Sequence, residues 1–240
     1  MRGRMTEESY VAGSGWDDGG GPGSLRQTTS QRVALAIRRL IFEGELPAGE
    51  RIRQEELAEQ LGVSRVPIRE AIIALDREGW LRIEAHRGAY VNGLDENSVR
   101  DHYELIGLFH SFAARRVIER NADVASLEPL NRAVQEATDP DEFWRANTAF
   151  FQGLVAAGRS SRLSAVGRLM SGTLIPNNYF VEIPEARPAQ KAVVQKLYDA
   201  IVRGDADGAE RILVRTYRRA AEAAVELFAE RGLITKDPGR

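Results

Sequence analysis

The chain has 240 residues, 43% of them hydrophobic, enough for one large core or two small ones, and the patterning favours two. It has no cysteine, which excludes a disulfide framework, a thiolate zinc site and a cysteine nucleophile, and its three histidines (His86, His102, His110) leave little material for histidine chemistry. A net charge of -2 gives no global basic field, so any nucleic-acid binding must come from a local cluster, and no apolar run approaches the roughly 18 residues of a membrane span.

In chain order, residues 1–29 are rich in glycine and poor in aliphatics, which predicts a disordered tail. The stretch Met1 to Tyr10 lacks the apolar core of a signal peptide, so a cytoplasmic protein with no membrane contact is expected. A tail that touches DNA would have only Arg2, Arg4 and Arg26 to do it with, and a dispensable extension is the simpler reading.

From Ser30 the pattern turns helical, with Val33, Ala36, Ile37, Leu40 and Ile41 recurring at three and four residues until Gly44 and the Leu46-Pro47-Ala48-Gly49 turn. A second helix, Gln54 to Leu61, ends at Gly62, and Ser64 is placed to N-cap a third that runs to Glu78. Pro67 falls in that helix's first turn, where its missing N–H costs nothing, and Ile68, Ala71, Ile72 and Leu75 form one apolar stripe. Two helices joined by a short glycine turn make a helix-turn-helix. Leu81-Arg82-Ile83-Glu84 and Ala89-Tyr90-Val91 then alternate around Ala85-His86-Arg87-Gly88, which predicts a β-hairpin wing.

Residues 93–98 read as a linker. Beyond them the period is helical throughout, with helices near 96–121, 123–136, 139–157, 160–173, 186–203 and 205–231, the last pair broken at Gly204-Asp205. The fold class is therefore mainly α, with a winged helix-turn-helix over 30–92 and an all-helical bundle over 99–235.

Arg65 and Arg69, four residues apart, project from the third helix on the side opposite its apolar stripe. A planar guanidinium fork near a helix N-terminus suits guanine O6 and N7 in the major groove. Ser64, and His86, Arg87 and Gly88 at the hairpin tip, suit phosphates or the minor groove, contacts that position rather than specify. The plainer alternative for Arg69 is a solvated pair with Glu70 or Asp76. The conjunction of turn, arginine pair and glycine wing favours DNA, read within a region whose acids Glu55, Glu56 and Glu59 lie on the preceding helix.

These residues resemble the GntR family of bacterial regulators. The likeness is carried by Gly44-Glu45-Leu46-Pro47-Ala48-Gly49-Glu50-Arg51, by the run from Glu56 through Leu61-Gly62-Val63-Ser64-Arg65-Val66-Pro67-Ile68-Arg69-Glu70-Ala71, and by Leu75 and Glu78-Gly79. It implies operator binding as a homodimer, with Ser64, Arg65, Pro67 and Arg69 at the DNA-contacting helix positions and the wing tip alongside. Some members carry an arginine on the second helix where Glu55 stands, so one contact is expected to be missing.

The helical remainder, with Tyr103-Glu104, Ala113-Ala114-Arg115 and Asp199-Ala200-Ile201, is similar to the FadR-type effector domain abbreviated FCD. Many such domains hold a divalent metal through an Asp-x-x-x-His pair and two later histidines. Those four positions fall here on Asn147, Phe151, Val194 and Thr216, and no metal or other cofactor is expected. Ile106 stands where members often carry arginine, and His110 where they carry glutamate.

The resemblance thus points to an effector site formed by Ile106, His110, Asn147, Phe151, Val194 and Thr216, suited to an apolar or amphipathic small molecule held by few polar contacts. Equally open is a collapsed core in which Phe151 and Val194 are filler and His110 a hydrogen-bonded core residue. The leading expectation is a dimeric repressor of a near-palindromic operator, under metabolite control. The alternative is an effector-free DNA-binding protein. Enzymatic function is not expected, because neither a Ser/His/Asp set nor a phosphate loop nor a metal constellation is evident.

Overall fold

A computed structural model describes residues 28–170 and 179–235. The expected tail lies outside the described residues except for Thr28 and Thr29, and these depart from it. Thr28 N-caps helix α1 (Thr29–Phe42) in a capping box: its hydroxyl accepts from the Gln31 N–H at 3.2 Å while the Gln31 side chain accepts from the Thr28 N–H at 2.8 Å. The described residues divide into two compact units, one made of 28–96 with 226–235 and the other of 97–225.

In the first unit, α1 is followed by strand β1 (Arg51–Ile52), α2 (Gln54–Gln60), α3 (Arg65–Arg77), β2 (Leu81–Glu84) and β3 (Gly88–Val91). The stripes expected on α1 and α3 are the core: Val33, Ile37, Leu40 and Ile41 meet Ile68, Ala71, Ile72 and Leu75, all buried. Each large aliphatic side chain removed from water in this way contributes on the order of 2 kcal/mol. Arg38 of α1 pairs with Glu78 at the C-cap of α3, closing the same contact from its rim.

The wing is a three-stranded antiparallel sheet in the order β1-β3-β2, one strand more than the hairpin read from the sequence. Leu81 pairs with Val91 and Ile83 with Ala89, while Ile52 pairs with Ala89 from the other side. Two residues are too few to show alternation, which is why β1 is silent in the sequence. The wing is tied to α3 by polar contacts: the Asp76 carboxylate accepts from the Ile83 N–H at 2.8 Å, and the Asn92 amide donates to the carbonyls of Gly79 and Leu81 at 2.9 and 3.0 Å.

The C-terminal segment completes this unit. Phe228 is fully buried, with its ring edge-on to Phe42 at 5.8 Å, and the Arg231 guanidinium lies 4.0 Å over the same Phe42 ring. Beyond it, Leu94 and Ile234 form a parallel bridge, with the Leu94 N–H donating to Leu233 O and the Thr235 N–H to Leu94 O. The sequence reading carried the helical domain through to 235, whereas the compact units divide at 225/226.

The second unit is helical: α4 (Glu96–Glu119), α5 (Leu127–Glu136), α6 (Pro140–Ala157), α7 (Ser161–Met170), α8 (Tyr179–Glu182), α9 (Ala186–Val202) and α10 (Ala206–Glu230), the first and last crossing its boundaries. The expected helices recur with their ends moved by a few residues, α8 is additional, and 171–173 of the expected 160–173 helix lie outside the described residues. Asp139 N-caps α6 by accepting from the Asp141 and Glu142 N–H groups, with Pro140 in the first turn. Phe143, Phe150, Leu154, Leu127, Val134, Val194, Leu197 and Leu213 are buried in one core. Between α5 and α9, Asn131 donates to Gln195 at 2.9 Å, and the Lys191 ammonium donates to the Gln135 and Ala137 carbonyls at 2.7 Å, satisfying the open end of α5. α4 and α10 approach closely at Gly107, where a Cβ would stand 3.0 Å from that of Tyr217.

Candidate functional site

The first candidate site is the outer face of the winged helix-turn-helix. Ser64 N-caps α3 by its extended backbone (φ -73°, ψ 168°) without a side-chain cap bond. Arg65 and Arg69 both stand exposed, and Pro67 is half-buried in the first turn. At 100° per residue the two arginines lie roughly a quarter-turn round α3 from the Ile68/Ala71/Ile72/Leu75 stripe, at its flank rather than opposite it as the sequence reading expects. The proposed partner Asp76 is engaged with β2, as described above, rather than with Arg69. Val66, between the two arginines and their neighbours, is 65% exposed, which adds an apolar contact surface at the helix start.

Arg65 Nη1 lies 3.0 Å from Glu55 Oε1, both side chains more than 70% exposed. The sequence marks Glu55 as an acid of the preceding helix and as the loss of a contact; the structure also brings it beside Arg65. A solvated pair of this kind is worth less than about 1 kcal/mol to the fold. Its carboxylate opposes a phosphate backbone, however. Glu55→Ala is therefore expected to leave the melting temperature unchanged and to raise affinity for any duplex by several-fold at low salt, an increase that fades as salt screens it. Fluorescence anisotropy with operator and scrambled duplexes across a salt series checks both parts.

His86, Arg87 and Gly88 form the hairpin tip between β2 and β3. His86 sits at φ 62° and Gly88 at φ 113°, a left-handed pair that closes the turn, with the Arg87 N–H donating to Glu84 O at 3.1 Å. Arg87 also pairs with Glu84 at 3.0 Å while its own side chain is 75% exposed. A Cβ at Gly88 would stand 3.1 Å from Arg51 Nε, so β1 delivers a further guanidinium to the wing. Sequence reasoning missed Arg51 as a site residue, although it ends the Gly44–Arg51 stretch that carried the resemblance.

The second candidate site lies within the helical unit, where the six predicted residues are only partly brought together. The His110 ring lies 4.6 Å from that of Phe151, and His110 Nδ1 shares a 2.7 Å hydrogen bond with the hydroxyl of Tyr217, a residue the sequence did not single out. Ile106 is half-buried and Val194 wholly buried in the core. Two polar tips are engaged internally: the Thr216 hydroxyl donates to Ile212 O on its own helix at 2.7 Å, and Asn147 Oδ1 accepts from Gln190 at 2.9 Å. The four positions that hold a metal in similar domains therefore present an occupied amide, a phenyl ring, a buried valine and an occupied hydroxyl. That donor set does not fit a divalent cation. Among the described residues no group of three or more histidine, aspartate or glutamate side chains stands together to hold one.

Burial lowers both histidines of this unit, His102 and His110, to about 4, and it pushes the Tyr103 and Tyr217 hydroxyls well above the ordinary tyrosine range. Both imidazoles are thus neutral at pH 7. Because each folded value lies below the unfolded 6.5, the folded form binds fewer protons, so stability is intact above about pH 6.5 and declines as pH falls towards 4. For His110 the difference corresponds to on the order of 3 kcal/mol. Urea unfolding at pH 7 and pH 4.5 should show that loss, and His110→Gln should flatten the pH slope across the same window.

Comparison with known proteins follows the two units. Residues 29–91 match the model for bacterial regulatory proteins of the gntR family, and residues 101–219 match the FCD domain. The chain is 27% identical over 206 residues to an uncharacterized HTH-type transcriptional regulator of Mycobacterium tuberculosis, covering 85% of this chain and 84% of that protein. It is 28% identical over 196 residues to a probable D-xylose utilization operon transcriptional repressor of Paenarthrobacter nicotinovorans, covering 78% of this chain and 85% of that one. The solved structure of Lar, which controls the expression of the Listeria monocytogenes agr system, shares the fold at a TM-score of 0.60 and 19% identity, over 85% of this chain and all of that one. Among the described residues no helix is long and apolar enough to cross a membrane. A winged helix-turn-helix followed by an FCD domain, matched over most of the chain, makes this protein a member of the GntR family of DNA-binding transcriptional regulators, and not an enzyme.

Proposed function

We propose that the protein is a cytoplasmic, dimeric repressor that reads a near-palindromic operator through Arg65 and Arg69 and responds to a small apolar or amphipathic metabolite in its FCD domain. The observation that carries this reading is the exposed arginine pair at the start of α3, flanking the buried Ile68/Ile72/Leu75 stripe. Ser64, Pro67 and the wing tip His86-Arg87-Gly88 position the protein on the backbone, and the two copies match the two half-sites. Ile106, His110, Asn147, Phe151, Val194 and Thr216, with Tyr217, supply the effector lining. A ligand there shifts the spacing of the two recognition helices and, by linkage, its own affinity changes when DNA is bound.

A second reading is favoured by the internal hydrogen bonds of Thr216 and Asn147 and the full burial of Val194: a filled core and an effector-free regulator. One experiment separates them. Thermal shift of the full chain is run against a metabolite set including acyl-CoAs and long-chain acids, and every stabilising compound is then tested for release or tightening of operator DNA. A compound that does both supports the metabolite-controlled reading, and stabilisation by none of them sinks it in favour of the filled core.

A further inference from the structure

Helix α4 is apolar on both sides. Its inner face buries Val99, Tyr103, Gly107, Ala113, Ala114 and Val117. At 100° per residue, Leu105, Leu108 and Phe112 fall opposite that face, and they are 57%, 55% and 47% exposed. An outer stripe of large side chains over two turns is a contact surface awaiting a partner rather than scattered exposure. The stripe is bounded by opposite charges, with exposed Asp101 one turn before Leu105 and Arg116 one turn after Phe112, its guanidinium 4.6 Å over the Phe112 ring. Arg116 also pairs with Glu119 on its own helix.

We propose that this face binds the same face of a second copy of the chain, with the two α4 helices antiparallel about a two-fold axis beside Leu108. The pattern is self-complementary in that direction alone. An antiparallel match sets Asp101 against Arg116 of the second copy and Leu105 against its Phe112, and brings the two Leu108 side chains together at the axis. A parallel match sets Asp101 on Asp101 and Arg116 on Arg116. An isologous contact with matched charges at both ends is what a closed dimer requires, and the 16 residues from Asp101 to Arg116 span about 24 Å of helix. The inference rests on the dimer proposed above and assigns it a surface.

The test is sedimentation of the full chain without DNA. Leu108→Glu, on the solvent side of α4, should keep its helical circular dichroism and raise the dimer dissociation constant by at least about tenfold, roughly the effect of 1.4 kcal/mol. Asp101→Arg and Arg116→Asp should each weaken the dimer, and the two combined should restore it. Because the chain has no cysteine, Leu108→Cys should cross-link to itself with a short bismaleimide, whereas Ala133→Cys on α5 should not. A wild-type dimer untouched by Leu108→Glu, or charge reversals that do not rescue one another, overturns this face while leaving the dimer intact. A wild-type chain that sediments as a monomer at every concentration overturns the dimer and this proposal together, and points to another partner or another segment of the chain on α4.

Discussion

Replacing both Arg65 and Arg69 by alanine is expected to lower operator affinity by at least about thirtyfold at fixed salt while leaving binding to scrambled DNA only modestly weaker. A well-placed bidentate contact to a guanine edge discriminates by about 1–3 kcal/mol, so two of them carry at least about 2 kcal/mol of sequence preference. Neither side chain belongs to the α1/α3 core, so folding is unaffected and the loss reads directly as recognition. The pattern of loss also assigns the role. An arginine that only neutralises a phosphate lowers affinity for all sequences alike and reduces the salt slope by about one per contact, whereas a base-reading arginine lowers the ratio of specific to non-specific binding. Gel shifts with operator and scrambled duplexes over a salt series measure both quantities in one experiment.

Phe228→Ala should strongly destabilise the DNA-binding unit, although residue 228 lies more than a hundred positions from the helix-turn-helix in sequence. Its ring is fully buried edge-on against Phe42, so truncation leaves a cavity beside α1 and costs about 3–5 kcal/mol. Against a total stability of about 5–15 kcal/mol for a typical domain, that is enough to populate the unfolded unit. The Arg231 guanidinium over Phe42 and the Leu94–Ile234 bridge lose their support as well. Hydrogen exchange in α1 and operator binding should fail together in this variant. An exchange pattern in residues 33–42 that matches wild type would show that the C-terminal segment adds nothing to that core.

Much of the first unit was legible in the sequence because its signals are local. The stripe of Ile68, Ala71, Ile72 and Leu75 repeats at helical spacing, Gly62 and Gly79 stand just past the ends of α2 and α3, and β2 alternates apolar and charged residues as Leu81-Arg82-Ile83-Glu84. What stayed hidden depends on contacts distant in sequence. Arg51–Ile52 becomes a strand only because β3 pairs with it, and Phe228 looks like one more apolar residue of a long helix until Phe42 is set against it.

In the helical unit the period located the helices but could not say which polar tips were already engaged. Thr216 bonds back to its own helix, a bond no side-chain inventory distinguishes from a hydroxyl aimed into a site. Tyr217, the partner of His110, lies one position further along α10 and carried no motif. The Glu55–Arg65 pair joins two helices through side chains alone, so the sequence showed the charges without the contact.

The most direct test of the account is an operator in which the guanines of each half-site are replaced by 7-deazaguanine, which keeps the base pair and the charge but removes the N7 acceptor. Binding is compared for the wild-type chain and for Arg65→Ala at one salt concentration. The wild-type chain is expected to lose affinity on substitution at one guanine per half-site, and Arg65→Ala, already weaker, to be insensitive to it. Equal losses in the two proteins, or no loss in the wild type at any guanine, would contradict base reading by the α3 arginine.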